Sequence, residues 1–566
     1  MRNTILTVLF FSLLVAAFPL RAQQRIRERV YVATDRDVYV AGDAVWMSAF
    51  CLDAASGALS DFSRIAYVEL HSPQGLVQTA KIALDGGRGA GRFFLQNTLP
   101  TGNYRLLAYT ALGAAEAGFD PLDGARTLSV FNTFSTARQS GVVVTDQPAD
   151  PSPAMPSAGG LEISAAATAS PSGTTRIRVS NRGAQPATFS FSVRHLDDIP
   201  APAGDHVADF VRRTAGLAPV SGPFDPAVIP EYEGEIIRAH VTGTDAAGIQ
   251  AVSGKAAYLS SPGSGDNAYT ALIGPDGVAT FFTSNIYGEQ QELFLEIEGV
   301  DRDNICHLEL LRPFRNLPAG EIPPLTLSPS YAASLELRTL GMQLEKHFDA
   351  DTLYEALPVR EHRLFNEPSR KSYILDDYTR FPVMEELFVE FIPELRLRRV
   401  GQQRQIQVLT SDVQGNYTYQ PGRALVLLDG IPVLDHEKIL AYDPLLVKRI
   451  DIYMESYFFG ARGFWGIVNF VTHKGNLPTM QFEDNVRIVD FQGCSLPLAY
   501  TCEGVGSEYP DYRQTLLWQP LLTLGPGESV ELECKTPAYG GRFEAVAEGL
   551  GTDGKAVAAQ TGFTVE

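Results

Sequence analysis

The sequence predicts a mainly β, multidomain protein in which tandem β-sandwiches carry one small α/β domain. Three observations predict it. Apolar and polar residues alternate with period two in short runs such as "RVYVATD", "AVWMSAF", "RIAYVEL" and "YRLLAYT", with Gly and Asp between them, which is the pattern of half-buried antiparallel strands. The chain has 566 residues, too many for one core when domains commonly hold about 100–200. Between residues 313 and 480 the alternation gives way to helical spacing and to the apolar run "ALVLLDGIPV", a buried strand that ends in an Asp-Gly turn.

Taken in order, residues 1–22 have the form of a secretory signal. Arg2 precedes an apolar run from Ile5 to Phe18, and Ala22 precedes Gln23. The run is short of the ~20 apolar residues of a spanning helix, so cleavage after Ala22 is expected. No cysteine lies in the first fifty residues to take a lipid. No later segment reads as a membrane span. The formal net charge of −20 argues against nucleic acid or an anionic membrane surface as the main partner, because both attract basic patches. The five cysteines, Cys51, Cys306, Cys494, Cys502 and Cys534, are too sparse for a disulfide scaffold. Spacing leaves open whether Cys494 and Cys502 close a small loop or stay as buried thiols.

Residues 23–135 read as a first sandwich, and 136–160, rich in Pro, Ser, Ala and Gly ("DQPADPSPAMPSAGG"), as a linker that cannot bury enough apolar surface to order itself. Strand patterns resume over 161–230 as a second sandwich and over 231–312 as a third. A connecting segment, 313–399, carries helices: Leu337, Leu340, Leu344 and Phe348 recur near helical spacing, and "VMEELFVEFI" lies between Pro382 and Pro393. Residues 400–480 form the α/β domain. Residues 481–566 return to strands ("RQTLLWQPLLTL", "SVELECK", "RFEAVAEGL") that complete a sandwich begun before it.

Two stretches carry a family resemblance in the β portion. "TDRDVYVAGDAVWMSAF" (34–50) resembles the opening of a macroglobulin-type, immunoglobulin-like sandwich, and "LPTGNYRLLAYT" (99–110) resembles its closing strand. Residues 231–312, with the turn "GPDGVATFF", resemble a carboxypeptidase-regulatory-like sandwich. Macroglobulin-type proteins often carry a thioester of Cys and Gln in Gly-Cys-Gly-Glu-Gln. Here Tyr287 precedes Gly288, Glu289 and Gln290, and tyrosine supplies no thiol for the acyl bond.

The α/β domain resembles the plug of TonB-dependent receptors. The motif runs through Asp429 and Gly430 at the turn, Ile450, Asp451 and Ile452 in a middle strand, and Phe459 and Gly460 where Tyr-Gly is expected. It continues with Gly463 and with Gly466, Ile467, Val468 and Asn469. The physical demands are structural, since glycine admits positive φ and close backbone approach. A receptor barrel would need many strands of about 9–11 residues, and 91 residues follow Gly475, so no barrel is expected here. Macroglobulin-type sandwiches combined with a barrel-less plug resemble envelope proteins of the Bacteroidota type. That resemblance implies a periplasmic, outer-membrane-associated or cell-surface protein. Its partner would be another envelope protein, such as an outer-membrane receptor or an export component.

Catalytic constellations are missing. There is no Gly-x-Ser-x-Gly elbow, no phosphate-binding Gly-x-x-x-x-Gly-Lys loop completed by Ser or Thr, and no His-Glu-x-x-His helix. Cys306 and His307 are neighbours that a strand would turn to opposite faces. His195, Asp197, Asp198 and His206 have irregular spacing among prolines and read as a solvated loop. The expectation is therefore a non-enzymatic binding or scaffold protein without cofactor or metal, accessory to transport or assembly. A secreted or surface-attached adhesion protein with sandwich spacers is the alternative. Phe464 and Trp465, between Gly463 and Gly466 in the aromatic run Tyr457, Phe458, Phe459, are the candidate partner contacts.

Overall fold

A computed structural model describes residues 26–146, 155–202, 205–217, 228–263, 268–300, 306–348, 353–359, 371–411, 415–459, 462–477, 479–482, 485–500 and 510–566. The chain divides into two units, Met1–Tyr232 with Asn316–Leu357 and Leu496–Glu566, and Glu233–Arg315 with Pro358–Ser495. Residues 1–22, read above as a signal, and Gly460 and Cys502 lie outside the described residues, and so does the question of a Cys494–Cys502 loop. No helix among the described residues is long and apolar enough to cross a membrane.

In the first unit, Glu28–Thr34, Ala44–Asp53 and Arg88–Phe94 form one sheet of a sandwich. Val38–Val40, Arg126–Phe131, Gly102–Tyr109, Ile65–Ser72 and Gly75–Ala83 form the other. Period-two alternation sends Val30 and Val32 into the core between them. Tyr31 and Ala33 on the opposite face are buried as well, against Phe210, Val546, Leu550 and Ala558. The Tyr31 hydroxyl donates to Glu548 Oε2 at 2.6 Å. Arg126 joins this face through Nη1 to Glu548 at 3.0 Å and through Nε to Asp37 at 2.8 Å. Burial opposes the charge on Arg126, but Asp37 and Glu548 outweigh it and hold the guanidinium protonated.

The second sandwich is discontinuous in sequence. Leu161–Ala165, Thr174–Asn181 and Ser529–Lys535 make one sheet, and Ala187–Leu196 lies between Gly541–Gly551 and Thr515–Leu524 in the other. Residues 161–230 therefore do not close a sandwich of their own, because their strands have C-terminal partners. The expected linker is also tied down in part: Val143–Val144 pairs in parallel with Thr326–Leu327, and Ala158 bridges to Ala558.

The helix Ala332–His347 turns a different stripe inward from the leucines that suggested it. Leu340 and Phe348 are exposed, while Arg338, Gly341 and Met342 are buried. A Cβ at Gly341 would stand 2.4 Å from the Tyr512 carbonyl oxygen. That close approach, with Arg338 donating to Asp197 at 2.7 Å and to the Val38 carbonyl at 2.8 Å, sets the rotation of the helix.

The second unit holds a third sandwich. Val278–Phe282, Ile236–Thr242 and His307–Leu310 face Ala268–Leu272, Ala256–Ser260, Gln291–Ile297 and Arg487–Phe491. Its α/β module has a five-stranded sheet in the order Lys371–Ile374, Val447–Phe459, Arg462–Thr472, Leu425–Leu428, Ile431–Pro432. One face packs Val426, Leu428, Ile450, Ile452, Val468 and Phe470 against the helices Met384–Glu390 and His436–Leu440. The other carries Leu425, Leu427 and Ile467. Burial on both faces is why "ALVLL" has no alternation.

Candidate functional site

The module is anchored at the Asp-Gly turn. Asp429 and Gly430 have φ +47° and +82°, the pair of positive angles that a tight hairpin with the native strand twist requires. The Asp429 side chain is fully buried. Its carboxylate accepts from the Thr472 amide at 2.7 Å, the Thr472 hydroxyl at 2.6 Å and the Leu477 amide at 2.9 Å. Three donors replace the water that the charge loses on burial. Asn469 closes the turn from the next strand, its Oδ1 accepting from the Gly430 amide at 3.2 Å.

From this anchor runs a long antiparallel hairpin, Val447–Phe459 with Arg462–Thr472. A register shift falls between Tyr453 and Ser456, beyond which Ser456 lies opposite Trp465, Tyr457 opposite Phe464 and Phe458 opposite Gly463. Gly466 sits there at φ +81°, and a Cβ on it would stand 2.5 Å from Val408 Cβ. This bulge breaks the alternation and brings Phe464 and Ile467 onto one face. Phe464 is 2 % exposed, packed with Leu425, Leu427 and Ile467 under Tyr453 and Tyr457.

That placement corrects one of the two candidate contacts. Phe464 is a core residue and is not available to a partner. Trp465 points to the other face, 38 % exposed, where its ring lies over Gly422 and its amide donates to the Arg423 carbonyl at 3.0 Å. On the same face is Phe458, 86 % exposed. Its ring lies across Gly463, whose added Cβ would touch it at 3.4 Å. Arg462, at the tip, reaches Glu298 at 3.2 Å, a carboxylate that also takes Arg423 at 2.8 Å. Phe458 and Trp465 thus share a solvent face whose reverse side is locked in the core. Nothing in the sequence separates Phe458 from its aromatic neighbours, because the bulge that decides the face is a pairing property.

A buried histidine lies deeper in the module. His436 Nδ1 accepts from the Ile406 amide at 2.9 Å. Burial, then the nearby Arg423 charge, pushes its pKa down to about 4, so it is neutral at physiological pH. The polar loop after Ala187–Leu196 does not assemble: Asp197 is taken by Arg338, while His195 packs on Tyr539 and Phe543. Among the described residues no group of three or more His, Cys, Asp or Glu could hold a metal ion.

No protein-family model matches the chain. No curated protein matches it either. Solved structures do align. Escherichia coli alpha-2-macroglobulin activated by porcine elastase matches at 8 % identity and TM-score 0.24, over 95 % of this chain and 44 % of that one. The native conformation of the E. coli protein gives 9 % and 0.24, over 97 % and 40 %. Salmonella alpha-2-macroglobulin reacted with methylamine gives 9 % and 0.16, over 97 % and 24 %. The chain spans less than half the length of each, and likenesses at these TM-scores carry no inference about its partners.

Proposed function

We propose that this chain is a non-enzymatic binding or scaffold protein of the cell envelope, exported by its N-terminal signal and accessory to transport or assembly at the outer membrane. One observation carries the reading. The hairpin of the plug-like module presents Phe458 and Trp465 together on a solvent face, while its other face is fixed by Phe464, Ile467 and the Asp429 anchor. Exposed aromatics on a rigid element anchor interfaces at low entropic cost, since little side-chain freedom is left to lose. The partner is then an envelope protein with an apolar recess, such as a receptor or export component.

Affinity capture from envelope extracts tests this with the full chain and with Phe458→Ala combined with Trp465→Ala. Loss of the captured partner, with an unchanged far-ultraviolet circular dichroism spectrum, is the expected result. Equal recovery by both proteins would transfer binding to the sandwiches. Fractionation addresses the adhesion alternative: retention in the periplasm or outer membrane supports the accessory role, whereas release into the medium supports adhesion.

A further inference from the structure

The strand Leu395–Val400 is the outer strand of a three-stranded sheet continued by Gln403–Ser411 and Tyr417–Tyr419. It pairs antiparallel with its neighbour from Leu395 opposite Val408 to Val400 opposite Gln403. In such a ladder, opposed residues alternate between pairs that exchange main-chain hydrogen bonds and pairs whose N–H and C=O groups point away. The neighbour shows which pairs are which. The Arg404 amide donates to Glu437 Oε1 at 2.7 Å and the Ile406 amide to His436 Nδ1 at 2.9 Å, so both point away from Leu395–Val400. Their opposites, Arg399 and Leu397, therefore turn their own main-chain groups to the free side. The chain covers the inner edge with His436, Glu437 and Tyr417–Tyr419. Among the described residues no strand pairs with the outer side of Leu395–Val400.

The side chains along this open edge are basic. Arg396, Arg398, Arg399 and Arg404 fall within nine residues, and no carboxylate occurs from Leu395 to Ser411, in a chain of net charge −20. Glu437 and Glu385 neutralise Arg404. Arg396, Arg398 and Arg399 are exposed, and no ion pair involving them is seen among the described residues. Arg396 and Arg398 share the solvent face. The first lies over the Tyr419 ring, 4.0 Å from its centroid, with its Nε donating to Gln407 Oε1 at 3.0 Å, and the second donates to the Pro421 carbonyl at 3.3 Å. Leu395 and Leu397 on the other face join the module core. Arginine along an edge repels a second copy of the same edge, but it favours a strand of opposite charge.

We propose that this edge accepts an acidic, extended segment of a partner protein as a fourth strand. The segment's main chain pairs with Leu397 and Arg399, and carboxylates at alternate positions meet the Arg396 and Arg398 guanidinium groups in two-point contacts. Its intervening side chains lie beside Leu397 and are apolar. The edge adjoins the Phe458–Trp465 face at Pro421 and Gly422, but its main-chain pairing uses neither ring.

The test titrates the full chain with a synthetic peptide of about eight residues alternating Glu and Val, near the usual strand length. Three probes accompany it: the Lys-for-Glu peptide, a Glu-Val peptide interrupted by two prolines, and an oligo-dT strand. Binding of the uninterrupted acidic peptide alone is expected, with slowed amide exchange at Leu397 and Arg399. The affinity should fall at least about tenfold in Arg396→Gln combined with Arg398→Gln, the loss of both charged pairs. Any of four results would overturn the proposal: no binding of the acidic peptide, equal binding of the proline-interrupted one, tighter binding of oligo-dT, or concentration-dependent self-association that the two glutamines abolish.

Discussion

At Gly430 a backbone angle of +82° makes a strong demand on one residue, because a β-branched side chain is strained there. Gly430→Val should lower the stability of the second unit by roughly 1–3 kcal/mol, read as a shift in the denaturant midpoint. His436 gives a pH signature. Its folded pKa of about 4 lies below the ordinary 6.5, so between those values the unfolded chain binds the proton more readily. Its contribution is complete above pH 6.5 and is lost as pH falls toward 4, by up to about 3 kcal/mol over that interval. In His436→Asn the amide oxygen can take the Ile406 hydrogen bond without titrating, and this part of the pH dependence should flatten. An unchanged profile would show that other groups set it. The Asp-Gly turn was legible in the sequence because few residues tolerate its angles. The burial of Asp429 was not, since its donors Thr472 and Leu477 lie over forty positions away.

At the scale of elements, the hairpin separates two of its aromatic positions by their roles. Phe464→Ala should cost about 3–5 kcal/mol, as expected for a large side chain removed from a core. Phe458→Ala should stay within about 0.5 kcal/mol of the parent, and equal losses at both sites would contradict the face assignment. The helix Ala332–His347 makes the reverse case. Gly to Ala inside a helix ordinarily stabilises by up to about 1 kcal/mol, yet Gly341→Ala should destabilise, because its Cβ would meet the Tyr512 carbonyl at 2.4 Å. Thermal unfolding distinguishes the two signs. The sequence announced this helix through its leucine spacing but misdirected its face, since a buried arginine and a glycine at a close crossing do not register as an apolar stripe.

For the whole molecule, the discontinuous second sandwich makes the C-terminus part of the fold of residues 161–196. A chain ended at residue 512 would lose the partners of Thr174–Asn181 and Ala187–Leu196. It should become sensitive to limited proteolysis there, while Gln291–Ile297, which pairs elsewhere, keeps its protection. Simultaneous loss would mean that the two units unfold together. The buried set Tyr31, Arg126, Asp37 and Glu548 belongs to the same scale, because its members come from both ends of the chain.

The mainly β class, the change of pattern over the α/β module and the Asp-Gly turn were all readable from the residues alone. Each of these follows from local rules of side-chain periodicity and permitted backbone angles. Tertiary pairing was needed to show which earlier sandwich the C-terminal strands complete, that of residues 161–196, that Phe464 lies inside and Phe458 outside, and that the strand Leu395–Val400 keeps an open basic edge. Those outcomes depend on which strand lies beside which and in what register, and a single bulge such as that at Gly466 can reverse a face without altering the local pattern that precedes it.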